Sequence, residues 1–548
     1  MSIPWANRSL VSLLLFGAVL PFAPVAGQVR EETPTFKSTT RLVLVDVVVT
    51  DSHGQPVHDL QARDFSVLDN GNPQSIVAFE EHRSDAIPKP APALNLPENV
   101  YTNYVARSEP GALTVLLFDS LNTNTQDLTY ARNKMLNFLA KLTPGTRIAL
   151  YALGSQLRMV HSFTENSDEL IAAAKELSIH PHSGYSNAKE FSAAINELQH
   201  SGLEKVPGAL RAMTRFLGEE YEGKQERRAG DTLDVLTQLT HALAVVPGRK
   251  NLIWISSAFP VDFSSDSQRL QRVAALLAAN RIAVYPVDAR GIAFLGLDAQ
   301  VTGTEAFARR SEDFSGQDQE DIDIGQTMQS IAEITGGRAH YNNNDLEGAM
   351  ADSMRTASNY YSLAYRPAGV EWNGKFRKIA IKTARPKIKL LYRSGYYAIS
   401  DPSNLKEEPS RAVALAMQPN VPVSTQYIMK ARVIPPETAG GTTQVDILID
   451  VHDLALTTEE NGQKTPEVYF VAVAWDGDGK QCASFSGGFH TVSEAQYESL
   501  LRTGLRVHQE MPLKPGSYEL RLGVMDALSG RIGTLDVPVT IGRGVTAK

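Results

Sequence analysis

An acid, two hydroxyls and an amide follow one buried-type strand in the middle of this chain. The apolar run 112–119 ends in Asp119, and Ser-Leu-Asn-Thr follows at 120–123. Ligands of open α/β sheets bind at the carboxyl ends of parallel strands, so an acid at that place is better positioned for function than one on a helix face. The sequence therefore predicts a ligand-binding crevice here, with Asp119 at its exposed rim.

Other chemistry has weaker support in the sequence. The motifs His-Glu-x-x-His, Gly-x-Ser-x-Gly and Gly-x-x-x-x-Gly-Lys-Ser/Thr do not occur. His180 and His182 could contribute to a zinc site, but no third ligand has suitable spacing, which favours a solvated loop. We therefore expect a protein that is not an enzyme, and an enzyme of unrecognised type is the weakest alternative.

Composition excludes one class of partner and bounds the number of domains. The 548 residues carry a formal charge of -8 without a basic run, so we expect no nucleic-acid surface. At about 150 residues per domain, this length corresponds to three or four domains. Cys482 is the single cysteine of the sequence, which rules out a disulfide within the chain.

The amino-terminal residues predict export. Residues 1–27 combine Arg8, an apolar run and small residues at 25–27, as in a cleaved signal peptide. An uncleaved anchor is the alternative. No later segment reaches about 18 consecutive apolar residues, so we expect no membrane span after the signal. The expected location is the periplasm or the cell exterior and surface.

Periodicity divides the remainder into domains. Strands alternate with helices over 111–345, which predicts a doubly wound α/β domain with a parallel sheet covered on both faces. The segments 36–82 and 358–400 hold about three strands each, too few to be stable alone. We expect them to pair into one β-domain in which the α/β domain is inserted, with 83–110 as a Pro-rich linker. Evenly spaced strands over 410–545 predict an immunoglobulin-like β-sandwich.

A variable segment interrupts the α/β pattern. We expect helices near 204–222 and 231–245, separated by the polar stretch 223–230. Met213, Phe216 and Leu217 lie on the first of these helices. They would cover the sheet, or, as the sharper alternative, present an adhesive face.

The middle of the chain resembles a von Willebrand factor type A domain, and the whole chain resembles an exported family of von Willebrand A-related proteins of acidobacteria. The resemblance spans roughly residues 36–400. It is carried by the segments 57–65, 116–123, 248–256, 283–291, 334–337 and 376–379.

This resemblance implies a metal-ion-dependent adhesion site, built from Asp-x-Ser-x-Ser, a Thr from a second loop and an Asp after a later strand. Asp119 matches the first acid, Thr123 the second hydroxyl and Thr232 the loop Thr. Two positions depart, because Leu121 stands at the first Ser and Ser257 at the second Asp. The implied site is degenerate.

The departures weaken any metal site. Mg²⁺ takes about six oxygens, Leu121 offers none, and with Ser257 neutral the cation would face one formal charge unless Asp127 or Asp231 points inward. We favour a metal-free crevice in which Asp119, Ser120 and Thr123 cap the following helix or bind a partner. A weak Mg²⁺ or Ca²⁺ site is the alternative. Its ligands would be Asp119, Thr123 and Thr232.

The sequence thus predicts an exported adhesion or binding protein whose strand-end crevice engages a protein or cell-surface ligand. Its expected ligand-binding residues are Asp119, Ser120, Asn122, Thr123, Thr232 and Ser257. The alternative from another class is a structural or assembly scaffold of the cell envelope, whose β-domains make the contacts. The oligomeric state stays open.

Overall fold

The computed structural model describes residues 42–83, 96–104, 113–142, 146–154, 156–177, 188–201, 205–206, 208–260, 268–291, 324–398, 409–419, 421–436, 441–452, 454–458 and 464–542. The predicted signal 1–27 and the histidines at 180 and 182 lie outside these residues.

The strands are numbered in chain order. They are β1 (Val43–Thr50), β2 (Phe65–Asp69), β3 (Asn72–Gln74), β4 (Ile76–His82), β5 (Val100–Thr102), β6 (Leu113–Asp119), β7 (Ile148–Leu153), β8 (Leu157–Thr164), β9 (Lys250–Ser256), β10 (Ile282–Asp288), β11 (Tyr360–Tyr365), β12 (Phe376–Thr383), β13 (Lys389–Leu391), β14 (Gly395–Tyr397), β15 (Met429–Ile434), β16 (Thr443–Ile449), β17 (Thr457–Thr458), β18 (Lys464–Trp475), β19 (Gln481–Val492), β20 (Leu505–Met511), β21 (Gly516–Asp526) and β22 (Arg531–Ile541).

The helices are numbered likewise. They are α1 (Thr125–Leu139), α2 (Ser167–Lys175), α3 (Ala188–Gln199), α4 (Ala209–Ala244), α5 (Gln268–Ala279), α6 (324–335), α7 (Leu346–Ser358), α8 (Pro409–Ala416) and α9 (Glu494–Thr503). Within the described ranges, no helix has both the length and the apolar character needed to cross a membrane.

The α/β domain, called the head below, contains one five-stranded sheet in the order β10-β9-β6-β7-β8. Four strands are parallel, and β8 runs antiparallel to β7. The sheet is mixed rather than wholly parallel, because residues 154–156 are too few for a crossover between parallel strands. Strands β6, β9 and β10 are buried along their full length, as in sheets covered on both faces.

The two faces of the head sheet are covered by different helices. Apolar residues of α1, α2 and α7 pack on one face. Residues of α4, α5 and α6 pack on the other. The helix that follows β6, α1, therefore lies on one face of the sheet, and the helix that follows β9, α5, lies on the opposite face. The strand order reverses between β6 and β9, and such a switch point at the carboxyl ends of strands is where open α/β sheets bind ligands.

Strands from before and after the head pair with one another. Antiparallel pairing joins β1 and β4 to β11, and β2 to β12. The resulting sheets have the orders β13-β1-β11-β4 and β14-β12-β2-β3, and they share a single apolar core. The pairing predicted between the segments 36–82 and 358–400 is therefore present in the structure.

The carboxyl-terminal region forms two antiparallel sheets. Their orders are β20-β16-β15-β5 and β17-β18-β21-β22, with β19 also paired to β18, and alternate residues of both sheets meet in one core. Strand β5 comes from the predicted linker 83–110. Asn103, which follows it, donates to the carbonyls of Ser424 and Tyr427 and accepts from the backbone N–H of Met429. Part of the predicted linker is thus built into this β region.

Helix α4 differs from the sequence prediction. It is continuous over 36 residues, including the stretch 223–230 that was expected to separate two helices. The residues Lys224 to Arg228 are good helix formers, and Lys224 pairs with Glu220 one turn earlier, which offsets the cost of Gly223 and Gly230.

Both β regions contact the head at the amino ends of its strands. Arg281, directly before β10, forms an ion pair with Asp46 of β1, with Nη2 of the arginine 2.7 Å from Oδ1 of the acid. On the other β region, Oγ of Ser424 donates to the carbonyl of Val245, the residue after α4. An apolar cluster that includes Leu113 and Ile532 surrounds the second contact. The carboxyl ends lie at the opposite edge of the sheet.

Candidate functional site

Asp119 is the last residue of β6, at the strand end where the sequence placed it. Its side chain is not at an exposed rim, however, because its solvent exposure is 0%. The expectation of an accessible carboxylate is wrong. The chain covers this acid with the loop that follows it and with Trp254 of the neighbouring strand β9.

Four N–H groups surround the Asp119 carboxylate. Oδ1 accepts from the backbone N–H groups of Leu121 and Asn122 at 3.0 and 2.9 Å. Oδ2 accepts from Nδ2 of Asn122 and from Nε1 of Trp254, both at 2.9 Å. Burial raises the pKa of Asp119, and hydrogen bonds from Asn122 and Trp254 oppose that rise. Since all four partners are donors, the geometry suits the ionised carboxylate.

The amide of Asn122 links the strand end to helix α4. Its Nδ2 lies 2.9 Å from Oδ2 of Asp119 and 3.0 Å from Oγ1 of Thr232, and Asn122 itself is buried. Nδ2 of Asn122 therefore bridges Asp119 and Thr232. The family resemblance implies that these same two residues would bind one cation. The two N–H bonds of Nδ2 supply two donors, one for each oxygen.

The remaining predicted residues form a second set of internal contacts. The hydroxyl of Thr123 accepts from the backbone N–H of Ser257 at 3.1 Å. Oγ of Ser257 lies 3.5 Å from the carbonyl of Asn122. The hydroxyl of Ser120 donates to the carbonyl of Leu153 on β7. All six predicted residues thus meet at one edge of the sheet, but their polar groups bond to one another, to backbone or to neighbouring side chains such as that of Trp254.

Capping of helix α1 also differs from the prediction. Asp119, Ser120 and Thr123 were expected either to cap it or to bind a partner. The cap is instead Asn124, which accepts from the backbone N–H of Asp127 at 2.9 Å. An N-cap residue directly precedes the first helical turn, and Asn is among the preferred types.

The residues at this site do not fit a divalent cation. Each carboxylate oxygen of Asp119 already accepts two hydrogen bonds, and the Leu121 side chain packs against the apolar core. Oδ1 of Asn122 is a buried acceptor without a hydrogen-bond partner among the described residues, which suits one water molecule. A single such oxygen falls far short of the six that Mg²⁺ takes. In the described part of the chain, no group of three His, Cys, Asp or Glu side chains is arranged to hold a metal ion.

Two further acids lie beside this site, Asp288, which is buried, and Asp127, which is partly exposed. Asp288 ends β10 and forms a two-contact ion pair with Arg290, with distances of 3.0 and 2.8 Å. Asp127 is half-buried, and its pKa is raised by burial, while Ser257 and Asn124 oppose that rise through hydrogen bonds. The sequence offered a signal for Asp288, which is an acid at the end of a predicted strand. Trp254 gave none, because a Trp on a strand indicates core.

Helix α4 extends from this site away from the sheet. Its buried residues all lie between Thr232 and Leu243, and Thr232 contacts Asn122. At 1.5 Å per residue, the part from Thr232 back to Ala209 is about 35 Å long. We call residues 209–231 the arm. Helix α3 packs along it, with the rings of Phe191 and Tyr221 stacked at 4.5 Å.

The arm carries exposed apolar side chains. Phe216 is 58% exposed and Met213 is 40% exposed. They are three residues apart and so lie on the same face of the helix. The expectation that they cover the sheet is therefore wrong, since covering residues would be buried.

No family model and no curated protein matches the chain. Solved structures do. An aerotolerance-related membrane protein from Bacteroides fragilis is 12% identical, with 44% of this chain and 98% of that chain covered and a TM-score of 0.23. A von Willebrand factor type A protein from Catenulispora acidiphila is 11% identical, with 86% and 74% covered and a TM-score of 0.20.

A third structure, proximal thread matrix protein 1 from the mussel byssus, has a zinc-occupied metal-ion-dependent adhesion motif. It is 10% identical, with 45% of this chain and 48% of that chain covered and a TM-score of 0.23. Von Willebrand A domains are thus among the structures to which this chain is similar. At TM-scores this low, the likeness carries no weight for the chemistry of the site.

Proposed function

We propose that this chain is an exported, non-enzymatic binding protein that captures a protein or cell-surface ligand without a metal ion. The binding surface consists of the arm of α4 and the adjoining carboxyl edge of the head sheet. The observation that carries the proposal is the pair of exposed apolar side chains, Met213 and Phe216, on a helix that projects from that edge.

The arm is difficult to explain as a purely structural element. A helix outside the core loses nothing by being polar all round, and polar residues would keep it soluble. Single exposed apolar residues are common, but large ones grouped on one face of a projecting helix are typical of a protein-interaction surface.

The attachment of the head supports the same proposal. Ion pairs and apolar contacts hold the amino edge of the sheet against both β regions. This arrangement orients the opposite edge, with Asp127 and Arg290, away from the two β regions. Loops and helix ends on a rigid scaffold are where binding residues concentrate.

The location, the family and the topology of the carboxyl-terminal region are proposed from the sequence. We infer cleavage of residues 1–27, a periplasmic or cell-surface location, and membership of the exported acidobacterial family of von Willebrand A-related proteins. We also infer an immunoglobulin-like topology for the two carboxyl-terminal sheets. The competing function is an envelope scaffold, in which the β regions make the contacts.

A capture experiment separates these two functions. Immobilised mature protein is exposed to an envelope extract of its source organism, and bound proteins are quantified for wild type and for the double variant Met213→Ser, Phe216→Ser. The control is Leu528→Ser, which changes an exposed apolar residue of the carboxyl-terminal region. We expect the double variant to lose its specific partners by at least tenfold while its melting temperature stays unchanged.

Unchanged capture by the arm variant, combined with loss in Leu528→Ser, would contradict the proposal. That result would move the binding surface from the head to the β regions, as the scaffold function requires.

A further inference from the structure

A small cavity lies between the head and the β-domain formed by strands β1–β4 and β11–β14, which we call the first β-domain. It is at the edge of the head sheet opposite to the predicted crevice. Its volume is about 20 Å³, which is room for one water molecule or an ion of similar size. Four charged side chains line it, namely Asp46, Arg249, Arg281 and Arg393.

The charges around this cavity do not balance. Arg281 holds Asp46 through two hydrogen bonds of 3.1 and 2.7 Å. Arg249 is 3% exposed, and its Nη1 lies 3.8 Å from Oδ2 of the same acid. Asp46 is the one acid among the residues that line the cavity, so three guanidinium groups share a single carboxylate. Buried charges are normally paired, because removing an ion from water is costly.

Arg393 is the least compensated of the three. Its Nη2 donates to the carbonyl of Leu44 at 2.8 Å, but its Nε is buried without a hydrogen-bond partner among the described residues. Burial lowers the pKa of Arg393, as expected where the charged form lacks solvation.

The surroundings add little negative charge. Glu80 acts on Arg281 from a distance, but its side chain is 71% exposed and also pairs with His82. Lys250, which is buried nearby, adds a further basic group whose charge repels that of Arg281. The region therefore keeps an excess of positive charge around one buried arginine, Arg249, and two partly exposed ones, Arg281 and Arg393.

The backbone at Arg281 points to a requirement for this side chain. Its φ is 54°, in the left-handed region that favours glycine or asparagine. An arginine that keeps this unfavourable backbone conformation is explained by what its guanidinium does, which is to hold Asp46 and Ser362 of the β-domain.

We propose that this cavity binds one small monovalent inorganic anion of halide size, held by Arg393 together with Arg249 and Arg281. The anion supplies the missing negative charge and an acceptor for the guanidinium groups. Because the residues that line the cavity come from both the head and the first β-domain, binding stabilises their contact. The small volume of the cavity suits a halide better than the larger sulfate or phosphate ion.

The first experiment is a melting series on the mature protein. Sodium chloride and sodium bromide are compared with sodium gluconate at constant ionic strength, for wild type, Arg393→Met and the exposed control Arg366→Met. A ligand bound only by the native state raises the melting temperature with its concentration, by roughly 2–4 °C for each tenfold increase above Kd. We expect this halide dependence in wild type and in Arg366→Met, and its loss in Arg393→Met.

The second experiment remains informative if Arg393→Met does not fold. Crystals of the wild-type protein are soaked in bromide, and the anomalous signal is mapped. A peak between Arg249, Arg281 and Arg393 supports the proposal. Equal melting temperatures in halide and gluconate, or a cavity that holds water alone, would overturn it.

Discussion

Nε1 of Trp254 donates to Oδ2 of Asp119 across 2.9 Å, joining neighbouring strands at the switch point of the head sheet. Both side chains are completely buried. This bond, with the three N–H groups from the loop after β6, makes Asp119 the acceptor that holds the crevice closed. The acid thus fixes the shape of the site rather than contacting a ligand.

The first test is the substitution Asp119→Asn. In the wild type, each carboxylate oxygen of Asp119 accepts two N–H groups. In the variant, an NH₂ group replaces one of these oxygens, so two buried N–H groups lose their acceptor. We expect a loss of about 3–5 kcal/mol in the free energy of unfolding of the head. The matched control is Asp478→Asn, on an exposed turn. Urea unfolding followed by Trp fluorescence measures both, and equal stability of the two variants would refute the role of Asp119.

Sequence pattern was sufficient for the framework of the head but not for its site. Buried apolar runs and amphipathic helices predicted strands β6, β9 and β10 because each leaves a local signature. The burial of Asp119 has no such signature, since Trp254 is 135 positions away and reads as an ordinary core residue. The continuity of α4 was missed because Gly223 and Gly230 suggest a break, whereas the residues between them favour helix.

The linker 83–110 is a second case in which the local sequence pattern did not predict the structure. Its prolines indicated an extended connection, and nothing local distinguishes Val100–Thr102 as an edge strand that pairs with β15. Pairing between distant segments depends on the partner strand, which a local pattern does not contain.

The role of Asn103 in joining this linker to the carboxyl-terminal region can be tested directly. The substitution Asn103→Ala removes three hydrogen bonds from a buried place, at a cost of about 2–4 kcal/mol. We expect faster amide hydrogen exchange in residues 425–434 of the full-length protein. Asn373→Ala, at an exposed position, should leave that exchange unchanged. Equal exchange in the two variants would show that β5 does not stabilise the sheet.

The pH dependence of stability should reveal Lys250. Burial, together with the nearby charge of Arg281, lowers its pKa to about 7. Between pH 7 and its ordinary value near 10.5, the unfolded chain binds a proton that the native state has released, so stability rises with pH in that window. The contribution is at most about 1.4 kcal/mol per pH unit.

The variant Lys250→Met should lose this slope, and the exposed control Lys430→Met should keep it. Unfolding free energies measured from pH 7.5 to 9.5 give the comparison. A slope that persists in Lys250→Met would assign the titration to another group.

Restoring metal binding tests whether Leu121, Asn122 and Ser257 are the residues that exclude a cation from the site. In the triple variant Leu121→Ser, Asn122→Ala, Ser257→Asp, a hydroxyl and an acid are restored and the bridging amide is removed. We expect its melting temperature to rise by several degrees in Mg²⁺ or Mn²⁺ and to fall again with EDTA. A triple variant that folds but ignores both ions would show that other features exclude the metal.

The most direct test of a metal-free crevice is the melting temperature of the wild-type mature protein in Mg²⁺, in Ca²⁺ and in EDTA. Because Nδ2 of Asn122 bridges Asp119 and Thr232 where a cation would lie, we expect the three temperatures to agree within experimental error. A rise in either ion that EDTA reverses, and that Asp119→Ala abolishes, would contradict the account.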